Sequence, residues 1–200
     1  MDNQFIKLSG VAALVLAVLF PVYWILGLAS WSFDEAAIID DFLTLDGWDF
    51  LFVVIGALEI GVYLALRKFL SNQFDSAIYS ILLIIMSVLV GLFHLTVVVD
   101  VLLALGPFES IQDEMMGTAI TLGLVVLYLY AIVALFLAIA LLARFTMLPV
   151  LMKLFAVGLL VSAVFQLTVV LAPVNVVIFP ALLIILAIEF LRGEQVVEVV

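Results

Sequence analysis

Residues 118–143 read TAITLGLVVLYLYAIVALFLAIALLA and contain no charged side chain. A helix of about 20 apolar residues crosses the roughly 30 Å hydrocarbon core of a bilayer, because each residue rises about 1.5 Å. Membrane-spanning barrel strands instead alternate apolar and polar residues over about ten positions, and this run is continuously apolar. The segment therefore predicts a transmembrane helix.

The composition of the whole chain also indicates a lipid environment. Of its 200 residues, 69% are hydrophobic and 11% are charged, with a formal net charge of −10. Soluble domains are about 45–50% apolar and about 25% charged, so lipid is the expected solvent for most of this surface. The same values exclude a disordered chain and a nucleic-acid-binding protein. Because the chain has no Cys and one His, disulfides, Cys-based zinc sites and iron–sulfur clusters are excluded, and no cofactor is expected.

Six apolar runs predict an all-α bundle of six transmembrane helices, which forms one domain over residues 1–200. The predicted spans are residues 8–29, 50–66, 77–105, 118–143, 151–172 and 174–191. The last two spans are separated only by Pro173-Val174-Asn175, a very tight turn. If that turn did not form, residues 150–191 would make one broken helix or a re-entrant pair.

The basic residues predict the orientation in the membrane. Under the six-span assignment all of them fall on one side, namely Lys7, Arg67, Lys68, Arg144, Lys153 and Arg192. The positive-inside rule then places both termini in the cytoplasm. We expect a multi-pass protein of the cytoplasmic (inner) membrane of a prokaryote. No cleaved signal peptide is expected, because the first apolar run is longer than the usual 7–15 residues or so.

The opposite side is acidic. Its longest loop, Ser30 to Asp49, carries Asp34, Glu35, Asp40, Asp41, Asp46 and Asp49. Within this loop, Ser32 and Glu35 have the spacing of a capping box and predict a short outer helix. The acidic surface has two interpretations: it is either an ordinary solvated loop or a region that enriches cations.

Polar side chains inside the spans are the candidate functional residues, since an ionisable group in hydrocarbon is costly and suggests a function. Glu59 and His94 both lie roughly 15 Å from the outer side at about 1.5 Å per residue, with Gln166 and Ser87 expected nearby. One interpretation of this cluster is a proton or cation relay, because Glu and His can exchange protons. The other is a structural hydrogen-bonded lock between helices.

Catalysis is not expected. A metal site drawn from Glu59, His94 and Asp100 has too few ligands, and Ser87 lies about 10 Å along the helix from His94, too far for activation. The sequence thus predicts no catalytic and no metal-binding residues. Its first functional interpretation is a non-enzymatic membrane module or subunit that packs with itself or with a membrane-protein partner in the lipid bilayer. The alternative is a small proton or cation channel or transporter that uses Glu59 and His94.

Overall fold

The computed structural model describes residues 2–30, 39 and 42–192 of the chain. Seven long helices account for most of the described residues: α1 Asp2–Ser30, α2 Gly47–Gln73, α3 Ala77–His94, α4 Val97–Leu105, α5 Gln112–Leu142, α6 Val150–Leu167 and α7 Asn175–Arg192. Short 3-10 helices occur at Glu109–Ile111, Phe145–Met147 and Ala172–Val174. Helices α3 and α4 follow each other directly and together form the third span.

The predicted six-helix membrane bundle is confirmed. Six segments of the described chain are long and apolar enough to cross a membrane: Gln4–Gly27, Gly47–Gln73, Ala77–Leu105, Gln112–Leu142, Val150–Leu167 and Ala172–Arg192. Side chains on the outside of the bundle are apolar and exposed, as expected where lipid covers them; Leu124 is 63% exposed and Val177 69%.

Several helix ends differ from the prediction. Helix α2 continues to Gln73 rather than ending at residue 66, because Arg67 and Lys68 are good helix formers that carry the helix past the apolar run. Helix α6 ends at Leu167 rather than at residue 172. The third span is interrupted at Leu95 and Thr96, between α3 and α4.

The start of α2 explains two of the acidic loop residues. Asp46 is the N-cap: its carboxylate accepts a hydrogen bond from the Trp48 amide at 2.6 Å. The Asp49 carboxylate accepts one from the Asp46 amide at 2.8 Å, which completes a capping box. Of the predicted short outer helix, Ile39, Phe42 and Leu43 are helical. The other residues named in the predictions for this loop lie outside the described residues: Ser32, Asp34, Glu35, Asp40 and Asp41.

The six spans form a closed ring in the order of the chain. Helix α1 packs on α2, α2 on α3, α3 on α5, α5 on α6, α6 on α7, and α7 returns to α1. Neighbours run antiparallel: the Tyr79 hydroxyl near the start of α3 donates to the Ala140 carbonyl near the end of α5, at 3.1 Å. We call the end of the ring that carries the six basic residues the inner end, and the opposite end the outer end.

The two halves of the ring are packed differently. In the inner half, the centre is filled by side chains with almost no exposed surface, including Leu66, Met86, Leu137, Leu183 and Leu186. Phe69 and Phe190, from spans that are not neighbours in the ring, meet there with ring centroids 5.8 Å apart. A remaining void in this half measures only about 10 Å³. The outer half encloses a much larger space.

Candidate functional site

A cavity of about 310 Å³ occupies the outer half of the ring. All six spans contribute to its wall, together with the connection between α6 and α7. At the rim, that connection places Val169 and Pro173, both exposed, so the cavity reaches the surface beside them. The cavity exists because six helices in a ring leave a central space that only large side chains can fill, as they do in the inner half.

Most of the wall is aromatic or aliphatic. Its aromatic residues are Phe20, Tyr23, Trp24, Phe52, Phe93, Tyr130 and Phe179. They contact one another across helices: the centroids of Phe20 and Phe179 are 4.7 Å apart, and those of Tyr23 and Phe52 are 5.6 Å apart. These contacts join α1 to α7 and to α2 at the outer end of the ring. Apart from the Tyr23 hydroxyl and the Trp24 indole N–H, the polar groups of the wall are those of Glu59, His94, Tyr130, Ser162, Gln166 and Asn175.

Glu59 is buried, with 6% of its surface exposed, and it is held by tyrosines. The Tyr63 hydroxyl, one turn along the same helix, donates to Glu59 Oε1 at 2.7 Å. The hydroxyls of Tyr63 and Tyr130 are also in hydrogen-bonding contact, which links α2 to α5. Because a tyrosine hydroxyl has one proton and Tyr63 gives it to Glu59, Tyr130 is the donor to Tyr63 in this arrangement. The three groups form a chain of hydrogen bonds that ends at the carboxylate.

His94 lies against α2 at the same cavity. Its ring packs on Phe52, with centroids 4.3 Å apart, and over Gly56, where a side chain would leave no room for it. Nδ1 lies 2.9 Å from the Val90 carbonyl oxygen, which can only accept, so Nδ1 carries the proton. In the neutral ring, Nε2 is then a hydrogen-bond acceptor.

Gln166 and Asn175 form the polar part of the wall on α6 and α7. The Asn175 amide group donates to the Ser162 carbonyl at 3.1 Å and to Gln166 Oε1 at 3.0 Å. Asn175 is 9% exposed, and its Oδ1 is buried and takes no hydrogen bond from the described part of the chain. These bonds fasten the start of α7 to α6.

Three of the four residues singled out from the sequence, Glu59, His94 and Gln166, line this one cavity. The hydrogen bonds of Glu59 and His94 go to Tyr63 and to the Val90 carbonyl, not to each other. Ser87 is also buried, but its hydroxyl donates to the Leu83 carbonyl of its own helix at 2.8 Å and does not line the cavity.

Sequence reasoning missed Tyr130 and Asn175. It placed Tyr63 on the same helix face as Glu59, four residues away, and near the inner membrane surface, but did not include it in the polar cluster. Tyr130 has no such signal, since it comes from a span whose place in the ring the sequence does not define. Asn175 was assigned to a turn, and it is in fact the first residue of α7.

Comparisons of the chain with protein-family models, with curated proteins and with solved structures found no match. Among the described residues, no group of three or more His, Cys, Asp and Glu is placed to hold a metal ion.

Proposed function

We propose that this chain is a non-enzymatic membrane module that binds a small, mostly apolar molecule in the outer half of its helix ring. The observation that carries the proposal is the cavity of about 310 Å³, whose wall is built by all six spans. Ligand sites in proteins are concave, measure about 300–1,000 Å³, and combine an apolar wall with a few polar groups. This cavity has that size and that composition.

The packed inner half gives the site one opening. Leu66, Leu137 and Leu186 are fully buried below the cavity and leave no polar path to the inner end in this conformation. A permanently open cation channel would need such a path. The arrangement therefore favours a binding protein over an open pore. Such a protein is either a receptor-like module or a carrier in the conformation that is open to the outer side. Association with a copy of itself or with a partner remains compatible with this role.

The proposal is tested by a substitution that fills the cavity with a larger side chain. Ala163 lines it and is 2% exposed, so the substitution Ala163→Leu adds volume inside. Ala57 is exposed on the outside of α2, and Ala57→Leu adds the same volume facing lipid. A ligand that binds only the folded state raises the midpoint of thermal unfolding.

We expect the neutral probe 1-hydroxyadamantane to raise the melting temperature of the detergent-solubilised wild type and of Ala57→Leu, and to have little effect on Ala163→Leu. Equal shifts in all three proteins, or no shift in the wild type, would contradict a ligand site in the cavity.

A second candidate function, proton transfer, is favoured by the hydrogen-bonded chain of Tyr130, Tyr63 and Glu59. Hydroxyl and carboxyl groups in series can pass a proton by exchanging donor and acceptor roles. If a second conformation opens the inner half, proteoliposomes with an internal pH dye will show proton flux that is lost in Glu59→Gln. Glu189→Gln is the matched control, because Glu189 is a half-buried carboxyl of α7 that does not line the cavity. Flux equal to that of empty liposomes would exclude this function.

A further inference from the structure

We propose that the ligand of this cavity is a protonated organic amine with a compact apolar body, whose ammonium group binds at Glu59. The inference rests on the proposed function, since it names the chemical class that the same cavity selects. Three properties of the wall support it: the sign of its charge, the hydrogen-bonding groups that are left over, and its aromatic rings.

The described wall carries one carboxyl group and no lysine or arginine. Glu59 is the carboxyl group among the described residues that line the cavity, and neither Lys nor Arg lies among them. The six basic residues of the chain are at the inner end, on the far side of the packed core. In a site with little water, a carboxylate attracts a cationic ligand and repels an anionic one. A small cation is thus the charged ligand that the wall accommodates.

The hydrogen-bonding groups agree, because the donors around Glu59 and those of Asn175 are already used within the protein, while several acceptors of the wall have room for a donor. The Tyr63 hydroxyl is given to Glu59, and the Asn175 amide hydrogens are given to Ser162 and Gln166. A carboxylate has about four acceptor positions, of which Tyr63 occupies one. His94 Nε2 adds an acceptor on the same wall, and the buried Asn175 Oδ1 lacks a donor. The wall's other donor groups are the Gln166 amide nitrogen, the Ser162 and Tyr23 hydroxyls and the Trp24 indole N–H.

An ammonium group matches this set, since it offers three donors and no acceptor. A carboxylate or phosphate ligand would present only acceptors to the Glu59 carboxyl group and to His94 Nε2. A neutral alcohol would offer one donor and no positive charge to Glu59.

The aromatic rings of the wall also favour an amine with an apolar body. The ring centroids of Phe52 and Phe93 are 5.3 Å apart beside His94, and those of Phe20 and Phe179 are 4.7 Å apart where α1 meets α7. Aromatic faces attract cations within about 6 Å of the ring centroid and also bury hydrocarbon, so the same rings suit both parts of such a ligand.

The test compares three probes that share one hydrocarbon cage and differ in charge: 1-aminoadamantane, 1-hydroxyadamantane and adamantane-1-carboxylate. Binding is measured by isothermal titration calorimetry to the full chain in zwitterionic lipid nanodiscs, with empty nanodiscs subtracted. We expect the amine to bind about tenfold or more tightly than the alcohol, and the carboxylate to bind most weakly.

The substitution Glu59→Gln removes the carboxyl group while nearly keeping the size of the side chain, so it tests whether the charge or the shape of the site selects the amine. In Glu59→Gln, the amine should fall to the affinity of the alcohol, while the affinity of the alcohol is unchanged. Glu189→Gln, outside the cavity, should behave as the wild type does. If Glu59→Gln does not fold, the order of the three probes on the wild type still decides.

The outcomes distinguish this inference from the proposed function. Equal affinity for amine and alcohol in the wild type, or a preference for the amine that survives in Glu59→Gln, would overturn the amine selectivity and leave the cavity as a binding site. Failure of all three probes to bind would contradict the ligand site itself.

Discussion

Gly56 shows how one residue position controls the site. A Cβ atom at Gly56 would lie 2.4 Å from Cγ of the His94 ring, well inside van der Waals contact. Since the ring is also held by Phe52 and by the Val90 carbonyl, it has little freedom to move away. The absence of a side chain at this position is what allows α3 to place His94 beside the cavity.

We therefore predict that Gly56→Ala lowers the free energy of unfolding by about 1–3 kcal/mol, the usual cost of overpacking. Gly61→Ala is the matched control on the same helix, because a Cβ there would meet nothing within 4 Å. It should be neutral or stabilise by up to about 1 kcal/mol, since Ala favours a helix over Gly. Unfolding in a detergent titration, followed by circular dichroism, measures both. Similar changes in the two variants would contradict the described contact.

Some residues of the site could be predicted from the sequence and others could not. Glu59, His94 and Gln166 stand out because a charged or strongly polar group in an apolar run has few structural reasons to be there. Tyr130 and Asn175 do not stand out, because neither side chain is charged, and an asparagine at the start of a span is common. Their importance depends on which helices are neighbours, and that follows from packing rather than from the local pattern.

Among the elements, the connection between α6 and α7 carries backbone strain. Val169 has φ of 58°, in the left-handed region that a β-branched residue rarely adopts. Hydrogen bonds from the Val170 amide to the Thr168 carbonyl at 2.5 Å and from the Ala172 amide to the Val169 carbonyl at 3.1 Å hold this turn. The turn ends α6 early and sets Val169 at the rim of the cavity.

The strain at Val169 leads to a prediction about the stability of the connection between α6 and α7. Val169→Gly removes a penalty of roughly 1–2 kcal/mol for the left-handed conformation and adds about 0.5–1 kcal/mol of backbone entropy cost, so it should be neutral or raise the melting temperature. Val170→Gly, at an exposed neighbour without positive φ, should lower it. Thermal unfolding followed by circular dichroism checks the pair. A larger loss in Val169→Gly than in Val170→Gly would show that the turn is not strained.

The helices themselves were the most predictable feature, for a physical reason. Apolar length alone identifies a span, because every backbone polar group in lipid needs an internal partner. The ends were less predictable. Arg67 and Lys68 mark the membrane surface without ending α2, and the break at Leu95 and Thr96 lies inside an apolar run that gives no warning of it.

The ring of six spans depends on helix packing, and no recognisable pattern in the sequence predicts which helices are neighbours. In water, an amphipathic stripe shows which face of a helix is buried. In lipid, both faces are apolar, and helices associate through close packing and a few hydrogen bonds. Contacts such as Gly10 beside Phe190, or Tyr79 with Ala140, define the order of the ring and leave no periodic signal. The cavity is a consequence of this closure.

The central claim is that the outer half of the ring encloses an accessible cavity above a sealed inner half. Because the chain contains no Cys, a single introduced thiol reports on one position. The most direct test compares Ser162→Cys, on the cavity wall, with Ala187→Cys, which has 0% exposure in the inner half of α7. Both are treated in detergent with a water-soluble cationic methanethiosulfonate reagent, and labelling is followed by mass spectrometry. We predict that Ser162→Cys reacts, that 1-aminoadamantane slows this reaction, and that Ala187→Cys stays unlabelled in the folded protein. An unreactive Ser162→Cys, or equal reaction of the two, would contradict the account.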